Sequence, residues 1–140
     1  MLQATSEWIV DGEFIVSATK TSKTVLVVED NSIQREGLAS VLRNEGYRVL
    51  AAADGEEALK YLRGDPTPDL LLLDMMMPQP DGWQYLGQLR RDPGMASVPI
   101  IITTGLGIAS REWAISLGAA GLLCKPINFD ELRRELERFR

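Results

Sequence analysis

Short apolar runs alternate with amphipathic segments five times between residues 24 and 140, and this alternation constrains the fold more than any other feature. The runs are rich in Val, Ile and Leu, which is typical of strands covered on both faces. The segments between them carry apolar residues at helical spacing, so each predicts a helix with one buried side. The sequence therefore predicts an α/β fold: a doubly wound five-stranded parallel sheet with five helices on two faces.

The predicted strands cover residues 24–28, 47–52, 69–74, 98–103 and 120–124. Asn31 or Ser32 can cap the first helix, and Asn128 can cap the last one. The third and fourth helices are predicted at residues 83–91 and 109–117. The apolar residues expected to face inward on the first and last helices are Ile33, Leu38, Val41, Leu42, Phe129, Leu132, Leu136 and Phe139.

Residues 1–22 do not follow this alternation. Two short apolar runs flank Asp11 and Gly12, and an Asp-Gly pair between such runs is a strong hairpin signal. A polar Ser/Thr/Lys stretch follows and is typical of a linker. A tail without regular structure is the alternative. We therefore expect an N-terminal extension over residues 1–22 and one domain over residues 23–140.

Composition excludes several classes of function. The net charge is −5, from 15 basic and 20 acidic residues, so direct binding to nucleic acid is not expected. The chain has no histidine, which rules out Ser-His-Asp catalysis and His-ligated metals. A single cysteine excludes an internal disulfide. Apolar runs of about five residues are too short to span a membrane. Without a charged n-region for a signal peptide, we expect a cytoplasmic protein.

Polar and charged residues stand where the predicted strands end. Glu29 and Asp30 follow the first strand, Asp74 ends the third, Thr104 follows the fourth and Lys125 follows the fifth. Parallel strands bring their carboxyl ends to one edge of the sheet, and ligands bind at that edge. The five side chains are therefore expected to converge on one site.

The expected charges at this edge do not balance. Three ionised carboxylates close together repel each other, and one lysine cannot neutralise them. Either a carboxyl pKa rises or a hard cation binds, and oxygen ligands suit Mg²⁺. Asp74 could then act as a carboxylate nucleophile toward a phosphoryl donor. Phosphoryl transfer to an aspartate with Mg²⁺ is the reaction that uses every one of these residues.

Four segments of the sequence resemble the receiver domain of two-component response regulators. They are VLVVED at 25–30, LLLDMMMPQPDG at 71–82, PIIITTG at 99–105 and the Lys-Pro pair at 125–126. They occur in the order and at the spacing of that family, and the resemblance covers residues 23–140. It implies a flavodoxin-like sheet with the strand order 2-1-3-4-5.

The resemblance also implies roles for the individual residues. It makes Asp74 the phosphoacceptor, and it assigns Thr104 and Lys125 to the phosphoryl oxygens. The implied Mg²⁺ ligands are Asp30 and Asp74 directly, Glu29 through water and the carbonyl of Met76. Lys125-Pro126 is predicted to be a cis peptide, since an X-Pro bond pays little to be cis.

The implied function is that of a switch. A histidine kinase or a phosphotransfer protein would donate the phosphoryl group, and the phosphorylated domain would then bind an unknown downstream protein differently. The chain would catalyse only its own aspartyl phosphorylation and dephosphorylation. A homodimer, a stand-alone regulator and a receiver excised from a larger protein remain open. Because the chain ends with its fifth helix, no output domain is expected.

Two rival functions and one departure from the family accompany this interpretation. An Asp-nucleophile phosphohydrolase typically has a second Asp two residues after the nucleophile, where this chain has Met76. A pseudo-receiver that works without phosphate usually lacks a site residue, whereas here none is missing.

Leu122 stands where receivers often carry an aromatic switch residue, so the usual threonine-to-aromatic coupling is in doubt. Cys124 is expected to be a small buried residue.

Overall fold

The structure is a computed structural model that describes residues 8–10, 13–15, 23–64, 67–76, 82–93, 97–107 and 109–139. Near the N-terminus, β1 (Trp8–Val10) pairs antiparallel with β2 (Glu13–Ile15). These strands flank residues 11 and 12, where the sequence predicts a hairpin turn. Those two residues and the predicted linker at 17–23, except for Lys23, lie outside the described residues. The domain boundary at residue 23 stays a prediction.

The main sheet contains five parallel strands. They are β3 (Thr24–Val28), β4 (Arg48–Ala52), β5 (Leu70–Asp74), β6 (Ile100–Thr104) and β7 (Gly121–Cys124). Their spatial order is β4-β3-β5-β6-β7, which is 2-1-3-4-5 when these strands are counted along the chain. The predicted fold class and strand order are confirmed. The three inner strands are buried at every residue, as expected for strands covered on both faces.

Within the part of the chain that the structure describes, five helices connect and cover the strands. They are α1 (Ser32–Asn44), α2 (Gly55–Leu62), α3 (Gly82–Arg91), α4 (Arg111–Ser116) and α5 (Phe129–Glu137). Asn31, rather than Ser32, caps α1, and Asn128 caps α5 as predicted. The fourth helix is shorter than the predicted 109–117, because the side chain of Ser110 accepts a hydrogen bond from the amide of Trp113 and so fixes the start of α4 after it.

Each face of the sheet carries its own apolar core. One core packs α1 and α5 against the sheet, with Leu42 and Leu132 fully buried. The other packs α2, α3 and α4 against the opposite face and includes Leu26 and Leu86. Alternate residues of β3 point to the two cores, which is why its apolar run is continuous. Among the described residues, no helix combines the length and apolar character needed to cross a bilayer.

Three residues predicted to be buried are exposed. Ile33 and Phe129 are 82% and 52% exposed, respectively. Both lie in the first turn of their helices, at the end where the helix extends past the edge of the sheet and leaves the core. Cys124 is also exposed: it is the last residue of the edge strand β7, which pairs with β6 on one side only.

Candidate functional site

The candidate site lies at the carboxyl edge of the sheet. Asp74 is the last residue of β5, and Thr104 is the last residue of the neighbouring β6. Glu29 follows β3 directly, and Lys125 follows β7 directly. The parallel pairing of these four strands brings the four residues to the same edge, as the sequence predicts.

Local hydrogen bonds hold the loop after β3. The Glu29 carboxylate oxygen Oε2 accepts a hydrogen bond from the Asn31 amide at 3.2 Å. The guanidinium of Arg35, one turn into α1, donates to the carbonyl oxygens of Glu29 at 2.9 Å and Asp30 at 3.3 Å. These bonds fix the acidic pair at the start of α1. Arg35 uses only the backbone carbonyls, and the Asn31 amide uses one side-chain oxygen of Glu29. The Asp30 carboxylate and the second Glu29 oxygen are therefore left to the site.

Three carboxylates meet at this edge. One oxygen from each of Glu29, Asp30 and Asp74 lies within 4.8 Å of the other two. Glu29 and Asp74 are buried, at 4% and 2% exposed, whereas Asp30 is exposed. Such a set offers only hard oxygen ligands and keeps one side open to solvent. Its chemistry fits Mg²⁺, which takes one or two carboxylates and retains several waters.

The ammonium group of Lys125 bridges the site. Its Nζ lies 2.6 Å from Glu29 Oε1 and 3.3 Å from Asp74 Oδ2. It also donates to the side-chain oxygen of Gln34 at 2.9 Å. The amide of Lys125 donates to the carbonyl of Thr104 at 2.7 Å, which anchors the residue to β6. The peptide bond between Lys125 and Pro126 is cis, so that prediction is confirmed.

Burial and the neighbouring groups together raise the pKa values of both Glu29 and Lys125. Burial raises the pKa of Glu29, and the nearby Asp74 raises it further, although the hydrogen bond from Lys125 opposes both. Burial alone would lower the pKa of Lys125, yet the hydrogen bond to Glu29 and the charge of Asp74 outweigh it and raise this pKa. Lys125 therefore stays cationic, and an excess of acidic groups remains at the site.

Backbone amides complete the surroundings of the acceptor. The amide of Met76 donates to Asp74 Oδ1 at 2.9 Å, and the amide of Leu106 donates to Thr104 Oγ1 at 3.1 Å. The Met76 side chain is 52% exposed. Asp74 thus has one oxygen bonded to a backbone amide and the other facing the Lys125 ammonium, while Met76 and Leu106 flank the two strand ends.

Two residues of the site were missed by the sequence reasoning. Gln34 accepts a hydrogen bond from Lys125, and Arg35 holds the carbonyls of the acidic pair. One signal was available for Gln34: it is the third helical residue after the Asn31 cap, and that first turn starts beside the acidic pair. Leu122, the departure from the family pattern, is partly buried and packs against the core under α2, α3 and α4.

The sequence matches a known family over most of its length. The family described as response regulator receiver domain matches residues 25–137. One relative, the probable transcriptional regulator ycf27 of Guillardia theta, is 38% identical over 118 residues, which are 84% of this chain and 45% of the relative. The chain thus spans about half the length of the transcriptional regulators that it matches.

Solved structures share the fold. The chemotaxis protein CheY4 of Vibrio cholerae is 30% identical, with a TM-score of 0.76 over 86% of this chain and 100% of that one. The receiver domain of the sensor histidine kinase PA1611 from Pseudomonas aeruginosa PAO1 is 32% identical, with a TM-score of 0.74 over 85% of this chain and 98% of that one. The structure of the PA1611 domain has a magnesium ion coordinated in its active site cleft.

Proposed function

This chain belongs to the response regulator receiver domain family, and from that premise we propose that Asp74 accepts a phosphoryl group in a reaction that needs Mg²⁺. The observation that carries the proposal is the environment of the Asp74 carboxylate. It is buried, it has a lysine ammonium 3.3 Å away, and it shares its site with two further carboxylates. A buried nucleophile beside one cation and a set of metal ligands suits phosphoryl transfer.

The proposed metal ligands are the carboxylates of Asp30 and Asp74 directly, Glu29 through water and the carbonyl of Met76. The three carboxylates contribute oxygen ligands at the spacing of a single ion. When bound, Mg²⁺ supplies positive charge that offsets the carboxylates and the incoming phosphoryl oxygens. The magnesium ion in the PA1611 receiver domain supports this assignment.

The proposed transfer is a single displacement at phosphorus. One carboxylate oxygen of Asp74 forms a bond to phosphorus, and the bond from phosphorus to the donor's leaving atom breaks. The leaving group departs with that electron pair, and Asp74 becomes an acyl phosphate. The amide of Met76 holds the other carboxylate oxygen, which orients Asp74 for the attack.

Thr104 and Lys125 are proposed to bind the transferred group. Lys125 Nζ already faces Asp74 Oδ2, so a phosphoryl group on Asp74 would compete with Glu29 for the ammonium. The hydroxyl of Thr104 ends the neighbouring strand, and its oxygen accepts the Leu106 amide, which leaves its hydrogen to donate. Both groups would stabilise negative charge that develops on the phosphoryl oxygens.

The cellular role follows from the family. Response regulators act in two-component systems, as signalling modules rather than classical enzymes. We propose a histidine kinase or phosphotransfer protein as the donor, an unidentified protein as the target and the cytoplasm as the location. A homodimer is an open alternative, and direct binding to nucleic acid or membrane is not proposed. The activities of the longer relatives are not carried over to this chain.

Intact mass spectrometry tests the proposed reaction. Acetyl phosphate with Mg²⁺ should give one phosphate-sized mass gain, and the same mixture with excess EDTA should give none. A pseudo-receiver would gain no mass under either condition. A phosphohydrolase would instead release inorganic phosphate continuously from an aryl phosphate. Either of these results would contradict the proposal.

Mg²⁺ is expected to stabilise the fold. Glu29, Asp30 and Asp74 crowd negative charge in the folded state. A cation that binds these carboxylates in the folded state alone raises the free energy of unfolding by linkage. At tenfold excess over its Kd, the free energy of unfolding should rise by about 1.4 kcal/mol and Tm by roughly 3–6 °C. Thermal unfolding with and without Mg²⁺ measures this. Asp30→Asn should reduce the shift, and an undiminished shift in that variant would count against the site.

Dephosphorylation is expected to be slow, and Met76→Asn is expected to speed it. Met76 and Leu106 flank the strand ends that carry Asp74 and Thr104, and neither side chain can orient a water for attack. An asparagine amide that contributes one such hydrogen bond, worth about 1.4 kcal/mol in the transition state, accelerates hydrolysis about tenfold. Decay of the phosphorylated mass after removal of acetyl phosphate gives the rate. Met76→Leu is the matched control, and equal rates for the two variants would refute the role of this side chain.

A further inference from the structure

The ammonium group of Lys125 has three N–H bonds, and among the described residues three side-chain oxygens surround it. Its Nζ lies 2.6 Å from Glu29 Oε1 and 2.9 Å from Gln34 Oε1. The third neighbour, Asp74 Oδ2, is farther away at 3.3 Å. Because a lysine ammonium donates at most three hydrogen bonds, these oxygens use its full capacity. A phosphoryl group on Asp74 therefore has to compete with them for the ammonium.

The three distances place the ammonium toward the start of α1. Glu29 precedes this helix and Gln34 lies in its first turn, and both oxygens are closer to Nζ than the Asp74 oxygen is. The amide of Lys125 donates to the carbonyl of Thr104 at 2.7 Å, so its backbone is fixed to β6. Nζ can therefore approach a phosphoryl group on Asp74 only by rotation of the lysine side chain, which stretches the contacts with Glu29 and Gln34.

These two contacts differ in what their loss costs. Glu29 is 4% exposed, and a buried carboxylate that loses its cationic partner is strongly destabilised. The attraction between opposite charges also adds to the hydrogen bond with Glu29. Gln34 is neutral and exposed, so water can replace the ammonium at its oxygen. The contact between Lys125 and Gln34 is therefore the one that breaks.

The start of α1 fixes the place from which Gln34 acts. Gln34 is the third residue of the helix, and its backbone amide donates to the side-chain oxygen of Asn31 at 2.9 Å. The next residue, Arg35, donates to the carbonyls of Glu29 and Asp30. The backbone that carries Gln34 is therefore tied to the acidic pair, and its side chain contacts the ammonium from a defined position.

We propose that Gln34 is a positioning residue that holds the Lys125 ammonium back from Asp74 in the unphosphorylated domain. A phosphoryl group on Asp74, or an analogue bound beside it, breaks this hydrogen bond as it draws the ammonium toward itself. Because the bond is present before binding and lost afterwards, it lowers the affinity of the site for the phosphoryl group. This inference rests on the proposed function and adds to it a residue that acts through Lys125.

Calorimetric titration of the full chain with beryllofluoride, a stable analogue of the phosphoryl group, tests the inference. Gln34→Met keeps the length and helix propensity of the side chain but removes its amide oxygen. With saturating Mg²⁺, this variant should bind beryllofluoride about threefold to tenfold more tightly than the parent, as expected for the loss of one competing hydrogen bond. Its affinity for Mg²⁺ alone should match that of the parent. A change in that affinity would mean that Gln34 supports the acidic pair, and it would overturn the inference.

A second pair of variants tests the contact in the opposite direction. Gln34→Glu puts a charged acceptor beside Lys125 and should weaken beryllofluoride binding relative to the parent. Ser32→Glu is the matched control, because it adds the same charge at an exposed position of the same turn, where side chains two residues apart do not face the same side. It should weaken binding less than Gln34→Glu does.

The outcomes separate this inference from the proposed function. Equal affinity of the parent and Gln34→Met for beryllofluoride would refute the role of Gln34 while the proposed function stands. Equal weakening by the two glutamate variants would refute it as well, because the effect would then come from charge in the first turn and not from the contact with Lys125. A parent chain that binds no beryllofluoride would contradict the proposed function, and the inference would fall with it.

Discussion

Asp74→Asn is expected to abolish the mass gain from acetyl phosphate and Mg²⁺ completely. The asparagine side chain has nearly the same shape, and its amide oxygen can still accept the hydrogen bond from Met76. It is, however, a neutral amide and not a carboxylate nucleophile, so no acyl phosphate can form. Intact mass spectrometry of the variant and the parent under identical conditions measures the loss.

A matched control separates loss of the acceptor from a general effect on the fold. Asp130→Asn changes an aspartate in the first turn of α5 whose side chain is 74% exposed and pairs with Arg133. This variant should be labelled as fully as the parent. Full labelling of Asp74→Asn would refute the assignment.

The sheet could be predicted because strands that are buried on both faces have continuous apolar sequences. The apolar runs of β3, β5 and β6 are buried at every residue, and runs this short, bounded by turn signals, favour strands over buried helices. The bounds of α4 could not be predicted as well. Ser110 and the residues before it suit a helix interior or a cap, and only the hydrogen bond to the Trp113 amide decides between them.

The site was predictable where it depends on strand ends alone. Glu29, Asp74 and Lys125 lie together because parallel strands end at one edge. The contact of Gln34 with Lys125 depends on how α1 is rotated as it leaves that edge, which spacing along the chain does not specify.

The exposure of two predicted core residues has a similar cause. Ile33 and Phe129 continue the apolar stripes of α1 and α5, so periodicity assigns them to the core. The apolar periodicity of a helix does not show how far along the helix the packing against the sheet extends. Both residues lie in the first turn of their helices and are left at the surface.

Gly55→Ala is expected to destabilise the fold strongly. Gly55 is the first residue of α2, and a Cβ built on it would overlap the ring of Tyr85 from α3. The Tyr85 ring is only 5% exposed and is part of the core under α2, α3 and α4, so it cannot move aside freely. Overpacking of this kind should cost about 2–3 kcal/mol and lower Tm by roughly 5–10 °C. Thermal and urea unfolding of the full chain measure both.

Two comparisons attribute this loss to the contact with Tyr85. Gly37→Ala makes the same chemical change in α1, where an added Cβ meets nothing within 4 Å, and it should stabilise the protein by about 0.5–1 kcal/mol because alanine favours the helix. In a Tyr85→Ala background, Gly55→Ala should cost much less than in the parent, since the ring that it would overlap is gone. If Gly55→Ala costs the same with and without the ring, the destabilisation comes from the backbone of α2 and the proposed contact is not its cause.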